Sequence, residues 1–231
     1  MKRTISVLFL LLSLLSLQAQ TAKNIVILHT NDIHSRLIGY APESAYTPLT
    51  VNDDKTIGGF ARMATIIKNE EKANSGITLV LDAGDFLMGT LFQELEPSTG
   101  FQLRLMKTMG YDVVCIGNHE FDFGDQKLAD MINSAAKGGE IPEVLLGNAV
   151  FNAKDPGDDA VEKLFNSGLM GRKYVMEKDG LKIGFFSLLG KSADKNAAFA
   201  TPIKFSNQVK TARKLAGELK NEKCDIIICL S

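Results

Sequence analysis

Hydrophobic residues in this chain gather in short unbroken runs, and most of these runs end on polar residues. Residues 24–29, 77–81, 113–116 and 144–146 lack the alternation of half-exposed strands, so they predict buried strands. Between them the period lengthens. Phe60, Met63, Ala64 and Ile67 recur at helical spacing behind Gly58-Gly59, with residues 74–76 as the stop. Phe101–Met109 predicts a helix closed by Gly110 in a left-handed conformation. Leu128, Met131, Ile132 and Ala135 predict another, capped by Asp125 and ended at Gly138. Strand, polar loop and helix, repeated in that order, predict an α/β fold with a largely parallel sheet and helices on its faces. Further on, Lys173–Lys178 and residues 181–188 flank Asp179-Gly180, a two-residue hairpin signal that makes the sheet mixed. Ser206 is placed to cap a helix bearing Val209, Ala212, Leu215, Ala216 and Leu219, and residues 225–230 predict a last strand. Residues 40–54, 152–157 and 191–202 read as loops.

The N-terminus has a different pattern. Met1-Lys2-Arg3 precedes an apolar run over residues 5–17, and Leu17-Gln18-Ala19 follows, the order of a secretory signal peptide. The run is shorter than the roughly 20 residues a spanning helix needs. Residues 1–19 are therefore expected to be removed, leaving a secreted or periplasmic protein with no stable membrane anchor. Residues 24–231 make one domain, with 45% hydrophobic residues in the whole chain to supply its core. A net charge of -1 leaves no basic surplus for a nucleic acid polymer. The 3 cysteines, Cys115, Cys224 and Cys229, cannot all pair within the chain. Cys115 and Cys229 lie in apolar runs and read as small buried hydrophobes.

Candidate chemistry lies where the predicted strands end. Gly117-Asn118-His119-Glu120-Phe121-Asp122-Phe123-Gly124 presents an amide, an imidazole and carboxylates directly after an apolar run. Such groups are costly beside a core unless they pair, hydrogen-bond or hold a cation. Asp32 with His34 follows the first strand, and Asp85 follows the second. In a parallel sheet these ends share one edge, which draws the three groups into one crevice. Carboxylate, imidazole and amide oxygen together suit zinc, manganese, iron or cobalt better than magnesium. His29 reads as a strand-end histidine satisfied by its neighbours. Glu120 reads as a loop carboxylate or one standing behind the ligands, and Arg62 as a solvated arginine.

Residues 25–231 resemble the N-terminal metallophosphoesterase domain of the 5'-nucleotidase family within the calcineurin-like phosphoesterases. The resemblance is carried by His29-Thr30-Asn31-Asp32-Ile33-His34, Gly58-Gly59-Phe60-Ala61-Arg62, Asp82-Ala83-Gly84-Asp85 with Gly89-Thr90-Leu91-Phe92, and Gly117 to Gly124. It implies a sandwich of two mixed sheets flanked by helices, and two divalent metal ions. Asp32 and His34 would hold one ion, Asp85 would bridge both, Asn118 would hold the second, and His119 with Asp122 would form the catalytic dyad. The implied substrate is a nucleoside monophosphate or related phosphate ester. Nucleotide sugars, cyclic nucleotides and a non-catalytic nucleotide- or metal-binding remnant are the alternatives. The family also uses further histidines for the second metal and a C-terminal specificity domain, whereas this chain has 3 histidines in all. The domain is therefore expected to be incomplete at its C-terminus, with little or no turnover by the 231 residues alone.

Overall fold

The computed structural model describes residues 22–39, 57–190 and 192–231. The expected signal peptide and the whole of the loop expected over residues 40–54 lie outside them. Strands β1 (Ile25–Thr30), β2 (Ile77–Asp82), β3 (Val113–Cys115) and β4 (Glu143–Leu145) form a parallel sheet in that order. A second sheet holds β6 (Lys173–Lys178), β7 (Leu181–Ser187) and β9 (Ile226–Leu230); β6 runs antiparallel to β7 and β9 parallel to it. The turn between β6 and β7 has Asp179 at φ 50 and Gly180 at φ 70, the left-handed pair that a type I' hairpin requires. β5 (Ala149–Val150) and β8 (Lys204–Phe205) make a small antiparallel pair.

Side-chain alternation assembles the layers. Ile77, Leu79 and Leu81 of β2, with Val113 and Cys115 of β3, meet Ile183, Phe185 and Leu230 of the second sheet in one apolar layer. Val80, Val114 and Val144 point the other way, into helices α1 (Phe60–Ala73), α3 (Phe101–Met109) and α4 (Asp125–Gly138). On the outer face of the second sheet, Leu215 and Leu219 of α7 (Gln208–Asn221) pack on Phe186. The result is the expected α/β sandwich of mixed sheets flanked by helices. Both central strands of the first sheet are buried along their whole length, so they carry no polar alternation.

Several expectations need correction. β1 is an edge strand among the described residues, so Ile27 and His29 are exposed and the strand is only half buried. Asp125 does not cap α4. It is the first helical residue behind Gly124, and its carboxylate is turned into the interior. The cap of α7 is Asn207, whose Oδ1 accepts from the Lys210 N–H at 3.0 Å, while Ser206 Oγ is engaged with Asn148 O and Thr211 Oγ1. Val209 on the expected apolar face is exposed. The expected loop after β7 contains the short helix α6 (Ala193–Asn196) and a single 3₁₀ turn, Ala198–Ala200. Cys229 is exposed, on β9, which among the described residues pairs with β7 alone. Two further helices stand where none is expected, α2 (Glu96–Thr99) and α5 (Asp159–Ser167); Val161 and Leu164 of α5 are fully buried.

Candidate active site

Strand register puts three strand ends on one edge. Thr30 is aligned with Asp82, and Asp82 with Val114, so the chain leaves β1, β2 and β3 within a residue or two of one line. The first two exits are then zipped together by backbone bonds. Asp32 N–H donates to Gly84 O at 3.0 Å, His34 N–H to Asp85 O at 3.1 Å and Ser35 N–H to Phe86 O at 2.8 Å. Below them Thr30 Oγ1 donates to Asp82 Oδ2 at 2.6 Å. Burial pushes the Asp82 carboxyl up to about 7, against the pull of its Thr30 and Gly84 hydrogen bonds.

The loops cross closely, and that explains two glycines. A Cβ on Gly84 would stand 2.8 Å from Gly117 N, and one on Gly117 would stand 2.3 Å from Asp85 Oδ1. Side chains there would force the second and third exits apart. The neighbouring backbone is strained as well. Asp32, His34, Ser35, Asp85 and Met88 all have φ between 51 and 65, a region that residues with a Cβ enter at a cost. Strain of this kind gathers where surrounding structure fixes it for use.

Each expected site residue can be placed. His34 Nδ1 is 3.1 Å from Leu87 O, an acceptor that fixes the proton on Nδ1 and leaves the Nε2 lone pair free. Nε2 stands 3.5 Å from Asp32 Oδ1, and the other Asp32 oxygen accepts from the Asn31 amide. Asp85 Oδ1 accepts the His119 N–H at 2.8 Å. The His34 and His119 rings meet edge to face, with centroids 5.0 Å apart. His119 Nδ1 is 2.6 Å from Asp122 Oδ2. Burial works against a charged His119 ring, but the Asp122 hydrogen bond and the charges of Asp122, Asp85 and Glu120 outweigh it and raise the pKa. Asn118 follows on the same turn, half-buried.

The fit to metals rests on donor chemistry. Asp32, His34 and Asp85 offer two carboxylates and a tautomer-fixed imidazole on adjoining loops, a donor set that suits a divalent ion with N/O preference. The cage is not closed: among the described residues no group of three or more His, Cys, Asp and Glu could by itself hold an ion. Arg62 Nη1 donates to Gly58 O at 3.2 Å, and His29 lines a cavity of about 780 Å³ that opens beside Asn31 and Ile33.

Glu120 is more central than its sequence setting implies. It is 1% exposed, and its carboxylate accepts from the N–H groups of Asp85, Leu87 and Gly117 at 3.0, 2.9 and 2.6 Å. Burial, with the charge of Asp85, pushes its pKa up to about 8, while the three amides pull the other way. Its one sequence signal is a carboxylate three places after the turn glycine Gly117.

Comparison with known proteins gives the family. Residues 25–230 match the family model described as calcineurin-like phosphoesterase. The chain is 30% identical to mouse 5'-nucleotidase over 92% of its own length and 34% of that protein's. The crystal structure of the 5'-nucleotidase precursor from Thermus thermophilus superposes with a TM-score of 0.69 at 26% identity, over 89% of this chain and 36% of that one. The NAD nucleotidase of Haemophilus influenzae gives a TM-score of 0.68 at 27% identity, over 89% and 33%. The chain thus spans about a third of the length of these relatives. With strand order, polar strand ends and family model in agreement, the chain belongs to the calcineurin-like phosphoesterases.

Proposed function

We propose that this chain carries the catalytic domain of an exported, metal-dependent phosphoesterase of the 5'-nucleotidase type, acting on nucleoside monophosphates. The observation that carries the reading is the meeting of Asp32 and His34, Asp85, and Asn118 and His119 at three neighbouring strand ends, the first three on backbone held in left-handed conformations. Export rests on the charged start and apolar run of residues 1–19.

Asp32, His34 and Asp85 would contribute to one divalent cation whose remaining ligands come from elsewhere, and Asp85 with Asn118 would contribute to a second; zinc, manganese, iron and cobalt all suit these donors. Such cations supply Lewis acidity toward phosphoryl oxygens and a water acidic enough to attack at neutral pH. The protein supplies position and one proton. Asp122, bonded at Nδ1, orients the His119 ring and favours its charged form, so Nε2 is the nitrogen that meets the substrate. From there it can donate to the leaving alkoxide oxygen or stabilise charge on the phosphoryl group. Asp85 accepts the His119 N–H, so ligand and acid are fixed relative to each other.

The test is phosphate release from AMP by the protein that carries this domain, before and after chelation. Activity should vanish with EDTA and return with manganese, cobalt or zinc. Preference for a nucleotide sugar or a cyclic nucleotide would reassign the substrate. Hydrolysis that survives complete metal removal contradicts the proposal.

A further inference from the structure

We propose that Glu120 is a positioning residue of this site, a buried carboxylate that ties the loop after β2 to the loop after β3 and thereby sets Asp85 against His119. The inference rests on the reading of this crevice as a cation site. Oε2 accepts from Asp85 N–H at 3.0 Å and from Gly117 N–H at 2.6 Å, and Oε1 accepts from Leu87 N–H at 2.9 Å. One side chain therefore spans both sides of the crossing that Gly84 and Gly117 make possible. A carboxylate serving only its own turn would need Gly117; it would not need amides 35 and 33 residues away.

The tie acts where the backbone is least able to hold itself. Asp85 sits at φ 57 and Met88 at φ 65, so the segment that bears Asp85 would relax without an external anchor. Glu120 grips the N–H of Asp85, while the Asp85 carboxylate takes the N–H of His119 at 2.8 Å. The three residues close a loop of hydrogen bonds. A carboxyl group with 1% exposure is costly to bury, and bonds from three amides offset that cost only while all three donors stay in place. Carboxylate and crossing therefore stabilise each other.

Replacing Glu120 by Gln keeps the size but turns one acceptor into a donor facing backbone N–H groups. Glu120→Asp keeps two acceptors on a shorter stem. The experiment measures Mn²⁺ affinity by paramagnetic resonance of the free ion, together with Tm, for the parent, E120Q, E120D and Leu215→Ala. Leu215 lies on α7, packed on Phe186 at the outer face of the second sheet and away from the crevice, so its variant reports on stability alone. The expected result is a 10- to 100-fold weaker affinity in E120Q, roughly the loss seen when partners behind metal ligands are removed. E120D should regain part of it, and Leu215→Ala should lose Tm without losing affinity. Should E120Q not fold, E120D decides: weaker binding supports the tie, and parental binding overturns it. An E120Q protein that binds Mn²⁺ like the parent overturns this inference alone, as does a Leu215→Ala variant weakened equally. A parent that binds no Mn²⁺ overturns both this inference and the proposed function.

Discussion

His119 and Asp122 are joined by a 2.6 Å contact through Nδ1, which leaves one ring nitrogen for chemistry. If His119 works on the transition state and holds no metal, His119→Asn should leave cation affinity and KM near parental values while kcat falls by roughly 10² to 10⁴. Asp122→Asn should give a smaller loss in the same parameter, because Asp122 acts through the imidazole. The double variant should be no worse than His119→Asn, since the pair works as one unit. Steady-state kinetics with metal analysis decides the matter. A His119→Asn protein that loses its metal would make His119 a ligand. The polar cluster that holds these residues was legible in the sequence because it begins directly after an apolar run, and their pairing as a dyad was implied by the family resemblance. Glu120 was not, because its importance comes from amides on another loop that no local pattern reveals.

At the scale of elements, the start of α4 holds an unresolved charge. Asp125 is buried, neither of its carboxylate oxygens meets a donor among the described residues, and Asp158 Oδ1 is likewise unpaired. Burial first, and then the Asp158 charge, raise the Asp125 pKa from 3.8 to about 7. The sign follows directly. Between those values the folded protein keeps a proton that the unfolded chain releases, so stability falls as pH rises through this window and is lowest above about 7. Asp125→Asn, uncharged throughout, should melt higher than the parent at pH 8, with the difference fading toward pH 4. Each kcal/mol relieved should appear as roughly 2–4 °C in Tm. An Asn variant that melts lower at pH 8 contradicts this. A sequence reading makes Asp125 a helix cap because its type and place fit one; only packing against the turn of Asp158 shows otherwise. α5 did leave a signal, since Val161, Leu164 and Phe165 follow helical spacing. The two-residue strands β5 and β8 left none, being too short for any period.

Across the whole molecule, two sheets are held face to face by one apolar layer. Phe185 is fully buried between them, with Leu79, Leu81 and Val113 on the opposite side. Phe185→Ala should cost about 3–5 kcal/mol, whereas Val209→Ala on the exposed face of α7 should stay within about 0.5 kcal/mol. Urea unfolding of both variants measures this, and equal costs would contradict the packing described. The parallel sheet was legible because strands buried on both faces read as unbroken apolar runs. The edge position of β1 was not, because its Ile25–Leu28 segment is as apolar as the central strands. The proposed function requires Asp32, His34 and Asp85 to meet one divalent cation. The most direct measurement is anomalous scattering from crystals of the protein grown with Mn²⁺. The account predicts a peak in contact with Asp32, His34 Nε2 and the Asp85 carboxylate, lost in Asp85→Ala. Manganese bound only elsewhere, or a peak that persists unchanged in Asp85→Ala, would contradict it.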